Sequence, residues 1–419
     1  MNQNHIPSGG GRAWLVWSLA ASAFGYAFFQ RVMPGAMADD LMRDFAIGGA
    51  LLGTLSALYF YPYVFLQVPL GAMIDQIGAR FLMSGALAFA AIGSVLFALS
   101  DTLILAYIGR TMIGIGSAVG FLGSMAIAGK WFPPHRFAFL AGLAMFFAMI
   151  SGMVGQAPLA LFVSQYGWRI SVMATGAFGA VLSLLIFFIV RDSPKPAAGA
   201  QPKLSWSSVG QGLWAAARLW RVWRIALVAL STSGPMLTIA GLWGTPYLSS
   251  AYGLSKPEAA FYVSLQLLGW AFGAPFWGWL SDYTGKLKQL LVWPALVLTV
   301  LLATICFVSN LPLWFTVACF IGTGFFGACM PITFALGRKV TPQNISGSVT
   351  GIINSLTVLS GAILQPAVGY VLDRLWDGTV EAGSRIYKPE DYQAGFILIF
   401  LMALGGFVLT LSLKETSTN

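Results

Sequence analysis

Charge is what this sequence has least of. Only 9% of its 419 residues are Asp, Glu, Lys or Arg, against about 25% in soluble globular domains, and that excludes an ordinary water-facing surface. Acids are scarcer than bases, 14 against 23, and every acid falls in a loop or at a helix end. Asp39, Asp40, Asp44, Asp101, Glu258, Asp373, Asp377, Glu381, Glu390 and Asp391 lie toward one face, and Asp75, Asp192, Asp282 and Glu415 toward the other. No carboxylate sits at mid-span. Histidine is nearly absent: His5 is in the tail and His135 in a loop, so no histidine metal site is expected. The three cysteines, Cys306, Cys319 and Cys329, lie on apolar stretches without ligand spacing and read as packing residues. No nucleophile–base pair, metal cluster or phosphate loop occurs, so neither an enzyme nor a cofactor is expected. The net charge of +9 is not gathered into a separate basic arm, which argues against nucleic acid.

What is abundant is apolar length. Hydrophobic residues make up 58% and aromatics 14%. A bilayer-crossing helix takes about 20 largely apolar residues, and lipid admits only helices or closed barrels. Runs such as Leu82–Leu99 lack the alternation of a barrel. Polar breaks divide the chain into twelve predicted spans, roughly 13–38, 47–74, 80–99, 102–126, 136–163, 168–190, 225–251, 257–280, 288–308, 311–335, 345–372 and 392–413. With the N-terminus inside, only Arg43, Arg169, Lys256, Arg374, Arg385 and Lys388 fall outside, while Arg31 and Arg110 stay within spans. The excess of inside positive charge places both termini in the cytoplasm. The polar start, Met1–Gly11, leads straight into spans and has no small-residue cleavage site, so no signal peptide is expected.

The chain is doubled. Gly71, Asp75 and Gly78 recur as Gly278, Asp282 and Gly285, each shifted by 207, and Arg80 and Lys286 close the two copies. Lys130, Gly142, Gly152 and Gln156 recur as Lys339, Gly351, Gly361 and Gln365, each shifted by 209. The pattern G-x-x-x-D-x-x-G-x-[RK] between two spans, echoed half a chain later, resembles the signature loop of the major facilitator superfamily. The resemblance implies an all-α membrane protein of twelve transmembrane helices in two pseudo-symmetric six-helix bundles. Residues 1–190 and 225–419 would form the bundles, and 191–224 a cytoplasmic linker. In that linker Leu213, Ala217, Trp220 and Trp223 have helical spacing beside Arg218, Arg221 and Arg224, which predicts an amphipathic surface helix. Gly71, Asp75, Gly78, Arg80, Gly278, Asp282, Gly285 and Lys286 are the predicted gating residues. In this reading each glycine admits a close neighbour or a tight turn, each aspartate meets a helix N-terminus, and Arg80 anchors to headgroups. Such contacts exist only while the cytoplasmic side is closed.

Two arginines at membrane depth are the candidate binding residues, because a charge there costs several kcal/mol. Arg31 ends the run Tyr26-Ala27-Phe28-Phe29-Gln30-Arg31, and Tyr26 and Gln30 are counted with it as substrate-binding candidates. Arg110 opens a run similar to the superfamily's fourth-span R-x-x-x-G-x-G. Both fall in the outer half at comparable depth, and guanidiniums suit a carboxylate or phosphate. The pattern resembles the anion:cation symporter branch, whose first span carries Asp-Arg and whose fourth carries a Glu after its Arg. Here Gln30 and Ser117 stand at those positions, so proton coupling by the usual route is not expected. Arg31–Met37, Lys130–Phe137 and the loop from Trp376 to Tyr387 also resemble the phagosomal nutrient transporters and related bacterial facilitators, which implies amino acids or nucleosides as substrates. The acid-bearing loop Asp373–Asp391 reads either as an outer lid or as a solvated hairpin.

The expectation is therefore a monomeric secondary transporter of a bacterial inner membrane. By alternating access it would import a small carboxylate-bearing or zwitterionic nutrient, with a proton or sodium as coupling ion. The alternatives are an efflux antiporter, whose G-P-x-x-G-G is not matched by Gly152-Met153-Val154-Gly155-Gln156-Ala157-Pro158, and a non-transporting sensor.

Overall fold

Residues 10–194, 206–342 and 345–413 are described by a computed structural model, apart from the side chains at positions 68, 72, 75, 134, 138 and 206–209. His5, Lys195, Lys203, Lys414 and Glu415 lie outside the described residues. Backbone groups in hydrocarbon must be paired within their own segment, and the chain answers with helices nearly throughout. Among the described residues, eleven helices are long and apolar enough to cross a membrane. They are the second to twelfth: Gly49–Ala57 continued by Phe60–Ile77, Ala79–Ala98, Leu103–Trp131, Phe137–Val154 continued by Ala157–Tyr166, Trp168–Ile189, Trp220–Tyr252, Lys256–Thr284, Gln289–Phe307, Leu313–Lys339, Ser346–Leu375 and Pro389–Ser412. The first helix, Gly11–Val32, has 22 residues, about 33 Å at 1.5 Å per residue. Gln30 and Arg31 lie in its last turn.

Successive helices run in opposite directions, so both ends of the described chain, Gly11 and Leu413, lie on one face, the near face. The opposite end is the far face. In the first half the third helix packs on the fourth and sixth, and the first packs on the fifth. In the second half the eighth packs on the tenth, the ninth on the twelfth, and the seventh on the eleventh and twelfth. The halves meet along two seams, the second helix against the eleventh and the eighth against the fifth. The internal repeat relates these seams, since it carries the second helix onto the eighth and the fifth onto the eleventh. Glycines make the first seam tight: a Cβ on Gly53 would overlap the Gln365 backbone, and one on Gly369 would overlap Gly49.

The first and seventh helices break where the repeat aligns them. Pro34 turns the first into a 3-10 segment, Met33–Met37. The seventh, with Pro235 inside it, widens into a π turn at Ile239–Trp243. The two breaks touch at Gly35, where a Cβ would stand 3.3 Å from the Leu242 carbonyl oxygen.

One expectation changes and one open reading narrows. The amphipathic helix predicted across Leu213–Trp223 is divided: Trp206–Ala217 is one helix and Trp220 opens the next. Leu213 and Ala217 therefore share no continuous face with Trp220 and Trp223. The loop after the eleventh helix forms a two-stranded hairpin, Val380–Glu381 with Ser384–Arg385, and it is more than a solvated loop. It lies against the short helix Ala38–Phe45 of the other half.

Candidate functional site

A cavity of about 660 Å³ lies between the halves. Gly71, Arg338, Gly347 and Ser348 border it at the near face, and Arg31, Tyr63, Gln67, Trp270 and Thr357 line it at depth. Arg31 sits in the last turn of the first helix, immediately before the break. It is 5% exposed, and its Nε has no hydrogen-bond partner. Among the described side chains no carboxylate answers it. Instead its guanidinium carbon lies 4.4 Å from the Phe28 ring centroid, 5.1 Å from Tyr63, 5.7 Å from Tyr59 and 5.8 Å from Phe60. Ring faces stabilise a cation by about 0.5–2 kcal/mol each. They cannot give the directed hydrogen bonds that a guanidinium fork makes to an anion.

The other candidate binding residues face elsewhere. Arg110 is fully buried and donates from Nη1 to the Gln30 carbonyl at 2.7 Å, while its Nε and Nη2 are unpartnered. Its guanidinium stands 5.0 Å from the centroid of the Tyr59 ring that Arg31 also approaches. Only Arg31 lines the cavity. The Gln30 amide points into the first half and donates to the Tyr26 hydroxyl at 2.7 Å, to Ser94 at 3.3 Å and to Thr175 at 3.3 Å. Tyr26 borders a separate cavity between the first, fifth and sixth helices. Sequence reasoning passed over Arg338, Gln67 and Asn354. The last two join the halves across the cavity, Asn354 Nδ2 donating to Gln67 Oε1 at 3.0 Å. Polar residues inside spans were the available signal.

The far face is closed. Asp373, in the last turns of the eleventh helix, accepts from the backbone N–H of Gly49 and of Ala50, each at 2.9 Å. Those N–H groups begin the second helix, whose first turn is otherwise unpartnered and carries positive partial charge. The Tyr387 hydroxyl donates to the same carboxylate at 2.6 Å and accepts from Gly49 at 2.8 Å, and Arg385 stands 3.2 Å away. Lys256, opening the eighth helix, pairs with Asp40 at 3.2 Å and Asp39 at 3.4 Å on the other half. At the helix breaks, Gln156 Nε2 donates to the Ala240 carbonyl of the π turn and, at 3.5 Å, to Val32.

Among the described residues the near face is open. A Cβ on Gly71 or Gly278 would meet nothing within 4 Å, and Asp282 is exposed. The side chain of Asp75 lies outside the described set. Gly78, at φ +90°, turns the chain so that Arg80 N–H donates to Asp192 Oδ1 at 2.9 Å. The Arg80 side chain bonds the Phe187 carbonyl at 2.7 Å and lies over the Phe81 and Phe187 rings. It is thus tied to the sixth helix, where an anchor in headgroups was expected.

Comparison with known proteins agrees with this architecture. "Uncharacterized transporter YybO" of Bacillus subtilis (strain 168) is 20% identical, over 98% of this chain and 97% of its own. A "Putative tartrate transporter" of Agrobacterium vitis is 24% identical, over 93% and 88%. The fold matches the crystal structure of a bacterial homologue of the human lysosomal transporter Spinster, inward-facing and unoccupied, with TM-score 0.76, 15% identity and coverage of 97% of this chain and 99% of that one. Such a fold belongs to transporters and not to enzymes. The sequence profile of the Major Facilitator Superfamily matches residues 19–366, and this integral membrane chain belongs to that family.

Proposed function

We propose that this chain imports a small carboxylate-bearing or zwitterionic nutrient across a bacterial inner membrane, with both termini in the cytoplasm. The near face is then the cytoplasmic one, and the structure is an inward-open state. One observation carries the reading: Arg31 is buried beside the cavity, inside an aromatic cage, with no acid among the described side chains to neutralise it. Burying a lone charge costs several kcal/mol, and an anion entering the cavity offsets that cost. The tartrate transporter named among the relatives supports an anionic cargo. Arg110 acts behind Arg31: by holding the Gln30 carbonyl it fixes the last turn of the first helix. Tyr26 and Gln30 brace that turn from inside the bundle.

Transport follows from exchanging the two closures. The far-face contacts of Asp373, Lys256 and Gln156 break, and the loops holding Gly71-Asp75-Gly78-Arg80 and Gly278-Asp282-Gly285-Lys286 close the near face. With no acid at mid-span, a coupling proton or sodium would bind elsewhere or together with the anion. Arg31→Ala tests the site by substrate-induced thermal stabilisation. Loss of a charged hydrogen bond costs about 1.5–3 kcal/mol, so affinity for acids should fall roughly ten- to a hundredfold, and Arg31→Lys should recover only part. Undiminished binding of acids to Arg31→Ala would remove the assignment.

A further inference from the structure

The cavity's walls say more about the cargo than its charge does. Among the described side chains, Arg31 and Arg338 are its only charged lining residues, one at depth and one at the mouth. Several of its polar side chains already donate within the protein, while the Ser233 hydroxyl has no partner. Gln67 bonds Asn354 and the Ala118 carbonyl, Thr357 bonds the Ile353 carbonyl at 2.9 Å, and Thr350 bonds Ser346 at 2.9 Å. Most of the remaining wall is apolar. Five methionines converge on it, Met125, Met145 and Met149 from the first half and Met236 and Met330 from the second, beside Trp270 and several phenylalanines.

A polyhydroxylated acid fits such a wall badly, because each buried hydroxyl left without a partner costs about 1–3 kcal/mol. Methionine is flexible and polarizable, and its sulfur packs well against aromatic rings. Resting on the organic-anion reading above, we propose that the substrate is amphipathic: one carboxylate directed at Arg31 and an aromatic or similarly extended apolar body lying between the methionines of the two halves. An arylalkanoate is the class, in contrast to a sugar acid or tartrate. The body would touch both halves, so each half contributes to selectivity although the buried charge belongs to only one.

The test uses the full purified chain in detergent, with binding followed by thermal shift for 3-phenylpropionate, its uncharged amide and tartrate. Phenylpropionate should bind at least about tenfold more tightly than tartrate, the worth of burying a ring, and more tightly than the amide. A double variant, Met145→Ser with Met149→Ser, should weaken phenylpropionate about tenfold or more while leaving tartrate binding unchanged. Its unliganded melting midpoint shows whether it folds. Tartrate binding as tightly as phenylpropionate, or no binding of phenylpropionate, overturns the apolar-body inference but leaves an organic anion open. Amide binding equal to that of the acid overturns the anion reading itself.

Discussion

Asp373 offers the sharpest test of how the far face is held shut. Its carboxylate has four partners, but two of them, Tyr387 and Arg385, belong to its own half and stay with it when the halves separate. Only the bonds to the Gly49 and Ala50 N–H groups cross the seam. Opening the far face exchanges them for water, so the net contribution of the clasp is the difference. For charged hydrogen bonds that difference is about 1.5–3 kcal/mol, here reinforced by the helix N-terminus. Taking about 2 kcal/mol, Asp373→Ala should shift the ratio of inward-open to outward-open molecules about thirtyfold toward outward. Met37, fully buried where the two helix breaks meet, is a suitable reporter. A cysteine at Met37 should react with an impermeant maleimide from the far side much faster in Asp373→Ala than in the parent, while Asp377→Ala in the same loop should not change the rate. Asp373→Asn keeps one acceptor and should fall between. Labelling within about twofold of the parent would show that the clasp follows closure without holding it.

Gly53→Leu should force the second and eleventh helices apart, because even a Cβ would overlap the Gln365 backbone; far-side labelling should become permanent and transport should stop, and retained transport would refute the close seam. Gln156→Leu removes the donor that joins the two helix breaks. Its thermal midpoint should fall by an amount equivalent to about 1–3 kcal/mol, and an unchanged midpoint would show the bridge to be dispensable. Asp44 is partly desolvated, which raises its pKa, but Trp168, Arg169 and Arg43 outweigh this and hold it below the usual carboxylate range. Its stabilisation is therefore full above about pH 4 and lost as pH falls through the lowered native value. Asp44→Asn should lower the melting midpoint at pH 7 and reduce its dependence on acid; a midpoint equal to the parent's at pH 7 would refute the ion pair's role.

The doubled loop and the matched positions in the fifth and eleventh helices made the architecture readable, because the repeat needs only local residues in register. The site was readable in part. Arg31 and Arg110 give the same signal in sequence, a cation inside a span, yet one borders the cavity and the other is sealed in the bundle. Which occurs depends on how each helix is rotated about its axis. For Gln30 and Arg31 part of the geometry was available: neighbouring residues point about 100° apart, so the two side chains start in different directions. Gln30 instead sides with Tyr26, four residues earlier. The Asp373 clasp was beyond reach for another reason. Its partners are backbone groups 324 residues away, and a backbone N–H carries no signature in a sequence.

The two copies have also ceased to be equivalent. Arg31 falls opposite Thr238, Ile239 or Ala240 in the second copy, and Arg110 opposite Val317, Ala318 or Cys319. Asp373 falls opposite Ser164 in the first. One copy thus carries the intramembrane cation and the other carries the clasp of the far face. If Arg31 meets the cargo as proposed, changes in the loop 373–391 would retune the opening rate while leaving that cation untouched, so speed and selectivity would sit on separate halves of one chain.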